Sequence, residues 1–233
     1  MNNNGLREAL VAAGFGGQGI MLLGKLVAAA GMFEGRHVTY IPSYGAEVRG
    51  GTAHCNVIVS DEEVASPVVG APDTALVMNH PSLVKFEPRV RPGGLLVVNS
   101  TLMLGPPTRT DIELILVPAT ERADALGAVQ VANMVMLGAY LARKPVVKSD
   151  TIVEALHRML PARRRHLIGI NEQALAAGAE LAQPSAALAQ PSAALAGGLS
   201  RAESSGLSRA GSSGLSRAES SGLSRAGSSG PTP

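Results

Sequence analysis

Two short polar stretches carry the residue types that can do chemistry in this chain. The first is Gly14-Phe15-Gly16-Gly17-Gln18-Gly19, and the second is Ser43-Tyr44-Gly45-Ala46-Glu47-Val48-Arg49-Gly50-Gly51-Thr52. Glycines 14, 16 and 19 satisfy the GxGxxG pattern between an apolar run and a helix-forming run. Such a turn leaves backbone N–H groups free at a helix start, which suits an anion. Gly16, Gly17 and Gly19 would supply backbone there, and Gln18 a neutral hydrogen-bonding side chain. A dinucleotide site also demands an acidic residue at the end of the second strand to hold the ribose. That strand reads Val38-Thr39-Tyr40-Ile41-Pro42, which argues against a nicotinamide or flavin. Tight helix–sheet packing and a different anionic ligand remain as readings of the same turn. In the second stretch, Ser43, Tyr44, Glu47 and Arg49 stand on a frame of Gly45, Gly50 and Gly51. Arg49 can grip a carboxylate or phosphate with its planar fork, or pair with Glu47 as plain structure.

The other conspicuous side chains have simpler readings. His54 and His80 are possible acid–base groups, although single histidines commonly only hydrogen-bond. Cys55 falls in an expected edge strand with no positioned base, and reads as a buried small hydrophobe. Arg163-Arg164-Arg165-His166 could attract phosphates or simply face solvent. Met134 and Met136 belong to an apolar helix and to core packing. No residue is assigned as catalytic and none as a metal ligand. One cysteine in the chain excludes an internal disulfide and a cysteine-held iron–sulfur cluster of its own.

The elements that must position the two stretches follow from periodicity. Strands are expected at residues 8–13, 37–41, 75–78, 95–98 and 113–117, with an antiparallel edge hairpin from residues 53–60 through Asp61-Glu62-Glu63 to Val64. Helices are expected at 20–32, after Pro81, at 128–143, at 151–160 behind Ser149 as N-cap, and at 167–181. Alternating strands and helices predict an α/β three-layer sandwich around a mostly parallel, Rossmann-like sheet, with C-terminal helices. Both glycine-bearing stretches then sit at strand carboxyl ends, where open α/β sheets bind ligands.

Composition narrows the function classes. Of 233 residues, 45% are hydrophobic but only 3% aromatic, so the core is aliphatic and offers no stacking platform for single-stranded nucleic acid. Beyond residue 182 there are four Arg and two Glu. The formal charge of +2 thus belongs to that stretch, and the remainder lacks the basic face that nucleic acid requires. No apolar run reaches the roughly 18 residues of a membrane span, and Met1-Asn2-Asn3-Asn4-Gly5 has neither a basic flank nor an apolar secretory segment. A cytoplasmic protein without membrane or nucleic-acid partners is expected. The chain divides into a globular domain over 1–181 and a low-complexity tail over 182–233. In the tail Gln183-Pro184-Ser185-Ala186-Ala187-Leu188-Ala189 repeats at once, and the unit Gly-Leu-Ser-Arg-Ala-(Glu or Gly)-Ser-Ser then runs four times from Gly198 to Ser229. One Leu per unit buries too little to offset an ordering cost of about 1–2 kcal/mol per residue, so disorder is expected there.

Beyond the two stretches, further motifs fall in order along the chain. They are Pro42 ahead of the second stretch and Ala53 after it, Ser66-Pro67 before Asp73, Met78-Asn79-His80-Pro81-Ser82, Lys85-Phe86 and Pro92-Gly93-Gly94. Val117-Pro118-Ala119-Thr120 and Asn133-Met134-Val135-Met136-Leu137-Gly138-Ala139 complete the series. Together they resemble the gamma subunit of the 2-oxoacid:ferredoxin (acceptor) oxidoreductases over residues 6–180, in style closest to the 2-oxoglutarate and branched-chain members. Ala46 and His80 stand where many relatives carry Pro and Gln.

The resemblance implies one subunit of an enzyme split over several chains. In that family thiamine diphosphate with magnesium activates the 2-oxoacid, carbon dioxide leaves, iron–sulfur clusters carry electrons to ferredoxin, and coenzyme A takes the acyl group. This chain has no Gly-Asp-Gly element and no cysteine set, so by itself it would hold none of these groups. They would sit on thiamine-binding alpha and beta subunits and a ferredoxin-like delta subunit. Gly16, Gly17, Gln18, Gly19, Ser43, Tyr44, Glu47, Arg49, Gly50 and Gly51 are then candidates for the coenzyme A phosphates or the active-site edge. Rival readings are the beta-type subunit of an indolepyruvate:ferredoxin oxidoreductase, an independent NAD- or FAD-binding oxidoreductase domain, and a spacer that touches no ligand.

Overall fold

The computed structural model describes residues 5–44 and 52–182; residues 1–4, 45–51 and the expected tail from 183 onward lie outside them. Strand β1 (Arg7–Phe15) is buried along its whole interior. It is followed by α1 (Ile20–Phe33), β2 (His37–Tyr44), β3 (Thr52–Ser60), β4 (Thr74–Val77), α2 (His80–Phe86), β5 (Leu95–Asn99) and β6 (Glu113–Val117). Four helices complete the domain: α3 (Ala119–Ala125), α4 (Ala132–Arg143), α5 (Ser149–Met159) and α6 (Ile168–Leu181). The six strands form one sheet in the order β2-β3-β1-β4-β5-β6. β1, β4, β5 and β6 pair in parallel, whereas β3 runs antiparallel to both β1 and β2.

The expected mainly parallel α/β sandwich with an antiparallel side is what the strands build. Every residue of β5 is buried, as a continuous apolar run covered on both faces requires. Leu95 and Val97 join the core under α1 and α3–α6, while Leu96 and Val98 join a smaller core under α2. Among the described residues no helix is long and apolar enough to cross a membrane.

Local details depart from the sequence reading. The antiparallel hairpin pairs β3 with β2 rather than with a strand at Val64, which is not in a strand. β3 is therefore interior, β2 is the edge, and the edge position lets Pro42 sit within a strand despite its missing N–H. Ser149 is the first residue of α5 and Lys148 its cap, with no side-chain cap bond. Residues 129–131 form a 3₁₀ turn ahead of α4, and α3 lies in a stretch for which no helix was expected.

α4 and α6 cross with their backbones in contact. A Cβ at Gly138 would overlap the Leu175 carbonyl, and one at Gly178 the Val135 carbonyl. The reciprocal pairs 138 with 175 and 135 with 178 make the two helices antiparallel. At its far end α4 is tied to the amino edge of the sheet. There Glu8, buried at the start of β1, accepts from Thr74 Oγ1 (2.5 Å), Lys144 Nζ (3.3 Å) and Tyr140 Oη (3.4 Å). Burial raises the Glu8 pKa, and Thr74 and then Lys144 oppose that rise.

Gly138→Ala should lower stability by about 1–3 kcal/mol, because backbone rather than a mobile side chain fills the space a methyl would take. Gly169→Ala, where a Cβ meets nothing within 4 Å, should instead raise stability by roughly 0.5–1 kcal/mol through helix propensity. Urea denaturation of the two variants checks both signs.

Candidate functional site

The carboxyl edge of the sheet is held together by side-chain amides. β1 ends at Phe15, and the turn to α1 closes when Gln18 N donates to the Phe15 carbonyl (3.2 Å). The Gln18 side chain folds back, and its Oε1 accepts from Phe15 N (2.7 Å) and from Asn79 Nδ2 (3.0 Å). Asn79, just beyond β4, in turn accepts from Ser82 N (3.0 Å) and so caps α2. Asn99, the last residue of β5, donates to the Met78 carbonyl (3.2 Å) and to Thr120 Oγ1 (2.9 Å), and its Oδ1 accepts from Ala119 N (3.1 Å) at the start of α3. Asn133, at the start of α4, donates to the Gly19 carbonyl (3.1 Å).

Gly19 caps α1 with φ 75°, a left-handed conformation that favours glycine, and a Cβ there would also strike the Asn133 amide. No side chain caps α1 and no acid lies in its first turn. Gly16 and Gly17 form an exposed apex where an added Cβ would meet nothing within 4 Å. An uncapped helix start beneath an open glycine turn is a place for an anion. Gln18 contributes as a strut of that turn, since its Oε1 is occupied internally and its Nε2 is what remains to face a ligand.

The second stretch begins at the same edge. Its strand does not neighbour β1, because β3 intervenes, yet the register keeps both loop starts level. Phe15 lies opposite Thr52, Tyr44 opposite Ala53, and Ser43 opposite His54. Ser43 and Tyr44 thus close β2, while Glu47, Arg49, Gly50 and Gly51 lie outside the described residues.

Several other candidates are separated from this edge or chemically silent. Cys55 is fully buried in the interior strand rather than on an edge, and burial pushes its thiol up to about 12, which removes it as a nucleophile at neutral pH. The His54 pKa is lowered by burial and then by Lys85 and Arg89. The Nδ1 atoms of His54 and His80 are buried without a hydrogen bond among the described residues. Arg163, Arg164, Arg165 and His166 are exposed in a 3₁₀ turn leading into α6. α4 runs from Gly19 at the carboxyl edge to Glu8 at the amino edge, and α6 runs back beside it. The basic run therefore sits at the end of α4 away from the glycine turn, about 18 Å along a helix of that length, and cannot serve an anion there. Met134 and Met136 are core residues, as expected. No group of three or more His, Cys, Asp or Glu is arranged to hold a metal ion among the described residues.

Sequence reasoning did not single out Asn79, Asn99 or Asn133 as site residues. The available signal was an amide ending an apolar strand run, as in Leu76-Val77-Met78-Asn79 and Leu96-Val97-Val98-Asn99. A polar group so placed must find partners at the sheet end.

Residues 9–181 match the pyruvate ferredoxin/flavodoxin oxidoreductase family, and the chain belongs to that family. It is 37% identical over 171 residues to the ketoisovalerate oxidoreductase subunit VorA of Methanothermobacter thermautotrophicus, covering 73% of this chain and 35% of VorA. It is 33% identical over 183 residues to the 2-oxoglutarate synthase subunit KorC of Methanothermobacter marburgensis, covering 76% of this chain and 97% of KorC. Among solved structures it is similar to the gamma subunit of a keto/oxoacid ferredoxin oxidoreductase from Geobacter sulfurreducens. The TM-score is 0.66 at 28% identity, over 76% of this chain and 99% of that one. The chain thus spans about a third of the VorA-type relatives and nearly all of the KorC-type one.

Asn79→Ala removes the α2 cap and the tie to Gln18 together, and should cost about 1–2 kcal/mol. Asn79→Ser, which keeps a capping oxygen, should recover part of that loss in thermal melts.

Proposed function

We propose that this member of the pyruvate ferredoxin/flavodoxin oxidoreductase family is the gamma subunit of a multi-subunit 2-oxoacid:ferredoxin oxidoreductase. The complex converts a 2-oxoacid anion and coenzyme A to acyl-coenzyme A and carbon dioxide. The bond from the keto carbon to the carboxylate breaks, the acyl carbon joins the coenzyme A sulfur, and two electrons pass to ferredoxin as the thiol proton is released. The observation that carries this reading is the near-complete overlap with a KorC-type subunit. The ketoisovalerate and 2-oxoglutarate relatives favour a branched-chain 2-oxoacid or 2-oxoglutarate as substrate.

The residues present do not fit thiamine diphosphate with its magnesium, or an iron–sulfur cluster. The one cysteine is sealed in the core, and no Gly-Asp-Gly element occurs in the chain. In this proposal those groups belong to alpha, beta and delta partner subunits. The gamma chain contributes an anion subsite to the edge of the shared active site. Backbone N–H groups at Gly16, Gly17, Gly19 and the start of α1 hold a phosphate of coenzyme A, with Gln18 Nε2 beside them. Ser43, Tyr44, Glu47, Arg49, Gly50 and Gly51 line the adjoining side, where Arg49 is the cation suited to a phosphate or a partner carboxylate.

Purification of the native chain tests the assembly: thiamine-binding and iron–sulfur subunits should co-elute with it, and elution of the chain alone would sink the reading. Gly16→Asp places a carboxylate at the open apex without crowding the fold. In the assembled complex it should raise KM for coenzyme A about 10-fold, as expected for an anion facing a phosphate. The maximal rate of 2-oxoacid-dependent electron transfer should stay unchanged, and an unaltered KM would remove the phosphate from this turn.

A further inference from the structure

On the face of the sheet opposite the main helical layer, three basic side chains converge on one buried phenyl ring. The His54 ring centroid lies 5.1 Å from that of Phe86, Lys85 Nζ lies 5.3 Å from it, and Arg89 Cζ 5.4 Å. Among the described residues no acid pairs with Lys85 or Arg89. Glu87, the carboxylate between the two cations in sequence, is buried and turned away, its Oε1 accepting from Thr108 N (2.5 Å) and Arg109 N (2.8 Å). Neither Lys85 nor Arg89 forms an ion pair among the described residues, whereas Arg36, Arg91, Arg109, Arg143 and Arg158 all do. Among the described residues the Arg89 side chain donates to the Val69 carbonyl (3.3 Å) alone.

Apolar surface adjoins this charge. Val84, next to Lys85 on α2, is 62% exposed, and Val68, next to Val69, is 73% exposed. Cations held close together over a ring without a counter-charge repel one another, and an acidic partner converts that repulsion into attraction. In the VorA-type relatives this domain is about a third of a longer chain, so there it is tethered to a larger body.

We propose that the Lys85–Arg89–His54 face docks an acidic, partly apolar surface of the separate partner chain that supplies what the rest of a VorA-type chain supplies. This rests on the subunit reading above. The partner's carboxylates meet Lys85 and Arg89, and its apolar side chains cover Val84 and Val68.

The test uses the full chain and the thiamine-binding partner with which it co-purifies. Lys85→Glu combined with Arg89→Glu should weaken their association about 10-fold or more, and should flatten its dependence on sodium chloride. Lys85→Gln with Arg89→Gln, which keeps much of the aliphatic stems over Phe86, should lose less and guards against a variant that fails to fold. Arg163→Glu with Arg164→Glu, on a different surface, should leave the affinity within about twofold. A complex that forms normally, with affinity and salt dependence untouched by the charge reversal, overturns the docking face while leaving the subunit reading intact. So does a millimolar response of the His54 ring resonances to inorganic phosphate with partner affinity unchanged, because the face is then a small-anion site. A wild-type chain that binds no partner overturns both.

Discussion

A parallel sheet ends in a row of polar backbone groups that must be satisfied without filling the crevice above them. In this chain the amide of Gln18 resolves that conflict. Its carbonyl oxygen accepts from the backbone that makes the turn and from the Asn79 side chain that starts the neighbouring helix. One uncharged group therefore holds the ends of β1 and β4 and the entry to α2 in a single arrangement. Because the amides that close the edge are neutral, they add no charge of their own beside the free N–H groups of α1. The anion subsite proposed for this turn is thus shaped by groups that do not titrate.

α4 extends this order through the whole thickness of the domain. Its first turn is tied to Gly19, and the lysine just beyond its last turn is tied to buried Glu8. The backbone contact between Gly138 and Leu175 locks α6 to it. The glycine turn is thereby braced from behind by two helices. The same rod separates the exposed basic run before α6 from the carboxyl edge.

Much of this was legible in the residues. Continuous apolar runs such as Leu95-Leu96-Val97-Val98 announce strands buried on both faces, and the glycine turn after residues 8–13 announces a strand–helix junction. The place of β3 was not legible. A strand of mixed pattern reads alike at an edge or in the interior, and only its pairing with both β1 and β2 distinguishes them. The capping role of Ser149 was misread because α5 begins at that residue instead of at residue 151. The glycine turn was singled out as a candidate from its spacing. The amides that tie this turn and the neighbouring strand ends were not, because Asn79, Asn99 and Asn133 are scattered along the chain and reach one edge only in the fold.

The antiparallel insertion of β3 carries a consequence for how such a domain diversifies. β3 leaves the glycine turn on β1 untouched while bringing a separate hairpin connection, anchored at Tyr44 and Thr52, to the same edge. The two contributors to the edge are thus independent modules on one frame. Substitution or length change between residues 44 and 52 falls in a connection, which can vary without shifting the register of β1 or the start of α1. A lineage can vary that connection and keep the glycine turn intact.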